Sequence, residues 1–67
     1  KKINHDNIAK MWSAYLDRDI NGRDVALMMV LLKVARTKAG SHNIDDYVDM
    51  VGYSSIAGEL SEGETND

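Results

Sequence analysis

The chain has 67 residues, no cysteine and no proline, and 8 basic against 11 acidic side chains, for a net charge of −3. A single domain of this length buries only about 60% of the surface its unfolded chain exposes, and without cysteine neither disulfides nor thiolate metal sites can supply the missing stability. The charge is uneven: Glu59, Glu62, Glu64 and Asp67 contribute −4, which leaves +1 up to Gly58, too nearly neutral to attract nucleic acid by its field.

The first helix is expected over about residues 4–17, because Ile8, Met11, Trp12, Tyr15 and Leu16 recur at i, i+3, i+4, i+7 and i+8 and form one apolar stripe. Asn4 suits its N-cap, with Ile3 at N′ and Ile8 at N4 as a hydrophobic staple. A polar connection follows, and Asn21 repeats the device, with Ile20 at N′, Asp24 at N3 and Val25 at N4. The second helix is expected over 22–39, ending in Lys33, Arg36 and Lys38 before a left-handed Gly40.

That helix is the organising stretch, since every position from Val25 to Leu32 is apolar. Val25, Met29 and Leu32 point one way, while Leu27, Val30, Leu31 and Val34 point roughly the other, so no single neighbour covers it. The run is eight residues long, far short of the ~20 needed to span a bilayer, and no stretch has the form of a secretory signal. The chain opens on Lys1 rather than methionine, as a fragment or processed form would.

A third helix is expected over 43–60, capped by Asn43 with Asp46 at N3, and rich in small residues at Gly52, Ser54, Ser55, Ala57 and Gly58. Residues 61–67 hold no apolar side chain and read as a disordered acidic tail. Residues 1–60 thus form one all-α domain, a three-helix up-down-up bundle completed by oligomerisation into a four-helix-type core. Val25, Met28, Met29 and Leu32 are the expected oligomer interface, in a homodimer or higher assembly.

Two charged pairs are the candidates for chemistry. Asp46 and Asp49, at i and i+3, share a helix face as a Mg²⁺ ion would require, but solvent exposure and dipole complementation at a helix start are the favoured explanation. Lys33 and Arg36 have the same spacing and suit phosphate, but a structural role is favoured: Arg36 lies along the Val25, Met29, Leu32 stripe and calls for a carboxylate partner on the third helix, Asp49 being preferred. His5 and His42 are expected at the surface or at caps, Met11, Met28, Met29 and Met50 as core or interface filler, and Trp12 and Tyr15 as packing anchors. A DNA-reading helix is excluded by the absence of lysine and arginine from Asn43 to Asp67.

The strings N-H-x-x-I-A-x-x-W-S-A-Y-L (Asn4 to Leu16), I-x-x-x-D-V-A-L-M-M-V-L-L-K-V-A-R (Ile20 to Arg36) and D-x-x-V-D-x-x-G-Y (Asp45 to Tyr53) resemble a family of small phage and prophage proteins. The resemblance covers roughly residues 4–58 and implies a phage-encoded helical protein of the bacterial host cytoplasm. That family is distantly similar to the MazG-like all-α nucleoside triphosphate pyrophosphohydrolases, which hold Mg²⁺ with an ExxE pair on one helix and an ExxD pair on the next. On that resemblance Asp46 and Asp49 stand where ExxD stands. Lys33 and Arg36 stand where the other carboxylates are required, so upstream residues complete the cage, the basic pair binds phosphate directly, or catalysis has been lost.

Two functions are therefore expected to compete. One is an accessory or interaction protein without catalysis, engaging itself or a host protein, with no cofactor, no DNA and no membrane partner. The other is a MazG-like relative using Mg²⁺ and a nucleotide.

Overall fold

The computed structural model describes residues 2–64, in which α1 spans Lys2–Leu16, α2 Gly22–Thr37 and α3 Ile44–Glu64, with no strand among the described residues. α1 starts ahead of the expected cap, so Asn4 lies within its first turn; the Ile3 side chain of the expected staple falls outside the described residues. Its end is built by Asp17, which takes φ 55 and lets the Arg18 N–H donate to the Ser13 carbonyl at 3.2 Å. This is a left-handed cap of Schellman type, made by aspartate where glycine is usual.

Ser13 also sets where the next helix begins. Its hydroxyl donates to the Ile20 carbonyl at 3.0 Å and accepts from the Ile20 N–H at 2.9 Å, pinning the end of the connection against α1. The expected capping box follows: Asn21 Oδ1 accepts from the Asp24 N–H at 2.9 Å, and Asp24 Oδ2 accepts from the Asn21 N–H at 3.2 Å. α2 stops at Thr37, two residues before the expected Ala39; the Lys38 and Ala39 N–H groups close it by donating to the Ala35 and Arg36 carbonyls. Gly40 is left-handed as expected, at φ 80, but lies beyond the cap.

Asn43 caps α3, its Oδ1 accepting from the Asp45 N–H at 2.9 Å and its carbonyl from the Asp46 N–H at 3.1 Å. The helix then continues through Gly52 and Gly58 to Glu64, past the expected end at Leu60. Residues 61–64 of the expected tail are therefore helical, and 65–67 lie outside the described residues.

α2 and α3 form an antiparallel hairpin of constant register. Lys33 meets Asp49, and Arg36, three residues further along α2, meets Asp46, three residues earlier on α3. Gly22, eleven residues before Lys33, lies against Leu60, eleven residues after Asp49. The approach is close: a Cβ at Gly22 would stand 2.9 Å from Asp6 Oδ1 and 3.3 Å from Leu60 Cδ1, so a larger residue would make the tips of those two side chains shift.

α1 departs from the expected up-down-up course. Antiparallel to α2, its start would lie beside the end of α2; instead His5 and Asp6 lie against Gly22, while Ser13 holds Ile20. α1 thus crosses the beginning of α2, and His5 meets Tyr53 of α3 edge-on with ring centroids 6.2 Å apart. Its inward stripe is His5 and Ala9, flanked by half-buried Trp12 and Ser13, so Met11 and Tyr15, the latter 88% exposed, are not the core anchors their spacing suggests.

Among the described residues the enclosed apolar core consists of Ala9, Val25, Ala26 and Ala57, and Val25 is its one large fully buried side chain. The radius of gyration is 13.0 Å, against about 11 Å for a compact domain of this length. The chain exposes 5130 Å², where about 4,250 Å² is usual for a compact monomer of 7.5 kDa.

Candidate functional site

The hairpin register brings all four candidate side chains together, as two cross-helix ion pairs. Lys33 Nζ lies 2.9 Å from Asp49 Oδ2, and Arg36 Nε lies 3.4 Å from Asp46 Oδ1. A carboxylate on α3 does meet Arg36, but it is Asp46 rather than the favoured Asp49. The reason is geometric: in an antiparallel pair the residue nearer the end of α2 faces the residue nearer the start of α3.

Burial divides the pairs unequally. The Lys33 side chain is largely enclosed while Asp49 is half-exposed; Arg36 is 56% exposed over an Asp46 side chain exposed by only 7%. A buried carboxylate is costly without a charged or hydrogen-bonding partner, and Arg36 Nε, 3.4 Å from Asp46 Oδ1, supplies that partner. Asp46 thus does more than complement the helix dipole. Its N–H is engaged by the Asn43 carbonyl, and its carboxylate ties α3 to α2.

Each acid that would bind a cation is already held against a basic side chain, and each base that would bind phosphate is held against an acid. Among the described residues, no three His, Asp or Glu side chains converge to hold a metal ion. His5 lies buried against Tyr53 rather than at the surface, because α1 crosses the hairpin there, whereas His42 is exposed beside the Tyr47 ring at 5.9 Å.

Of the expected interface residues, Val25 has no surface to offer at 0% exposure, Met28 and Met29 are half-buried, and Leu32 is exposed. The bare apolar surface lies mainly elsewhere. Leu27, Leu31 and Val34 form an exposed ridge on the side of α2 away from Val25. On α3, Ile44, Val48 and Val51 are exposed on the side away from buried Asp46 and Ala57. Between the helices runs a shallow, wide-open groove lined by Val30, Met50, Val51, Ser54 and Ser55, with no charged side chain among its lining residues. The signal for this face was present in sequence as the second side of the all-apolar run.

The fold and its surfaces define a small all-α protein whose central charges are paired internally and whose open surface is apolar. The chain belongs to the family described as a domain of unknown function, DUF6378, whose model matches residues 1–61. It is 37% identical over 59 residues to the Gene 55 protein of Mycobacterium phage D29, covering 88% of this chain and 39% of that one. To the Gene 55 protein of Mycobacterium phage L5 it is 41% identical over 56 residues, covering 82% of this chain and 36% of the relative. The chain thus spans less than two fifths of the length of these curated relatives. No solved structure matches. The expected kinship with phage proteins is shown, and with it a phage protein family to which no catalytic role is attached. The similarity to MazG-like hydrolases is carried by none of these matches.

Proposed function

We propose that this chain is a non-catalytic helical interaction module of a phage, acting in the cytoplasm of the bacterial host and completed by association with a further copy of itself. The observation that carries this reading is the pairing of Lys33 with Asp49 and of Arg36 with Asp46. A nucleotide hydrolase of the MazG type needs acids free to bind Mg²⁺ and bases free to meet phosphate. Here those groups hold one another, and breaking both pairs to admit ligands would undo the contact that aligns α2 with α3.

Two further observations support it. The groove is lined by apolar side chains and two serine residues, a surface suited to a protein partner and poor for a triphosphate. No described helix is long and apolar enough to cross a membrane, and the absence of cysteine suits a reducing compartment.

The test is thermal melting of the full chain with Mg²⁺ alone and with Mg²⁺ plus each common nucleoside triphosphate. A ligand at a hundred times its Kd would stabilise by about 2.7 kcal/mol, and each kcal/mol moves Tm by about 4–8 °C in a domain this small. Unchanged melting is the expected result; a rise of that size with any nucleotide would overturn the reading and restore a hydrolytic or nucleotide-binding one.

A further inference from the structure

We propose that a second copy of this chain docks on the groove side of the α2–α3 hairpin in a two-fold symmetric pair, the Leu27, Leu31 and Val34 ridge of each copy seated in the Val30, Met50, Val51 groove of the other. This rests on the self-association named above and specifies its surface.

The first argument is area. The chain exposes 5130 Å², about 900 Å² more than a compact monomer of 7.5 kDa, and a standard protein interface covers about 800 Å² on each partner. The excess is therefore of the size that one two-fold contact removes. The second is shape. A two-fold interface must be self-complementary, residue i touching j while j touches i, so each copy has to present both a projecting and a receiving element. Ridge and groove lie side by side here, Val30 of the groove being flanked along α2 by Leu27 and Leu31. Ser54 and Ser55 are the small side chains of its α3 side, where the groove is shallow and open to a partner.

The third argument is charge. Two copies brought face to face place like on like, so a charged face would repel its twin. The groove walls and ridge carry no ionisable side chain, whereas Lys33, Arg36, Asp46 and Asp49 are occupied in the cross-helix pairs. α1 offers another exposed apolar cluster at Met11, Tyr15 and Leu16, none of which lines the groove, and it serves as the control surface.

The experiment is sedimentation equilibrium of the full chain at micromolar concentration, with Leu31→Glu, Val51→Glu and Tyr15→Glu alongside. The wild type is expected at twice 7.5 kDa. Leu31→Glu and Val51→Glu should each weaken association by about thirtyfold or more with the helical signal retained, and Tyr15→Glu should leave it unchanged. Because the chain has no cysteine, Leu31→Cys chains mixed with Val51→Cys chains should oxidise to a mixed disulfide, which Tyr15→Cys paired with either should not form. This second measurement does not depend on a charged variant folding. A monomeric wild type would remove self-association altogether. A dimer that survives both glutamate variants, or gives no mixed disulfide, would leave self-association standing and overturn this surface alone.

Discussion

The two sides of α2 solve different problems with different chemistry. Towards the ion pairs, Lys33 and Arg36 meet Asp49 and Asp46 at one register, and a slip of the hairpin by a single turn would leave one ion pair instead of two, with Lys33 opposite Gly52 or Arg36 opposite Asn43. On the other side Leu27, Leu31 and Val34 stand exposed, and nothing in the chain specifies their position except the helix that carries them. Directional pairs fix alignment at small energetic gain, while apolar area stabilises strongly but without direction. With one large fully buried side chain among the described residues, Val25, the chain relies on the first for order and leaves the second for association.

Four changes break or sharpen that contrast, and the largest effect belongs to the core both sides share. Val25→Asp buries a charge with no partner, at a cost of about 4 kcal/mol or more, which exceeds what so small a core supplies; far-ultraviolet circular dichroism should show the helical signal lost. Arg36→Ala exposes the ordered side directly. It uncovers buried Asp46 but removes a guanidinium already half in water, so denaturant unfolding should register about 1–2 kcal/mol rather than the loss of a fully buried pair. Asn21→Ala removes the capping box and should cost about 1 kcal/mol by the same measurement, felt by both sides alike because it frays the helix they share. The smallest effect is the most specific. Double-mutant cycles should give a coupling of roughly 0.5–1 kcal/mol for Arg36 with Asp46 and none for Arg36 with Asp49, the partner expected if Asp46 served only the start of its helix.

Where local chemistry decides, the fold was legible. Asn21 with Asp24, Asn43 before α3 and the left-handed Gly40 all follow from a side chain and its own backbone. Asp17 was harder, since aspartate adopts the left-handed region less often than glycine and nothing nearby announces it. The path of α1 was not legible, because it depends on Ser13 catching the Ile20 backbone and on Gly22 admitting His5 and Asp6, contacts between segments whose relative placement no periodicity encodes.

The same division runs through the site. That Arg36 needs a carboxylate could be read from its place on an apolar stripe; which carboxylate could not, because register is set by the Thr37 to Asn43 connection and the packing of the helices together. The all-apolar run revealed that α2 has two sides to cover. Which of them the chain covers for itself is decided by where α1 and α3 settle, and they bury Val25 and Ala26 while leaving Leu27, Leu31 and Val34 bare.

The contrast between the two sides is tested most directly by the dependence of Tm on protein concentration, measured over a hundredfold range for the wild type, Arg36→Ala and Leu31→Glu. Association stabilises by mass action, so the wild-type Tm should rise with concentration. Arg36→Ala should melt lower at every concentration with the slope intact, and Leu31→Glu should melt independently of concentration. A wild-type Tm that does not move with concentration, or a slope abolished by Arg36→Ala and retained by Leu31→Glu, would contradict the assignment of order to one side and association to the other.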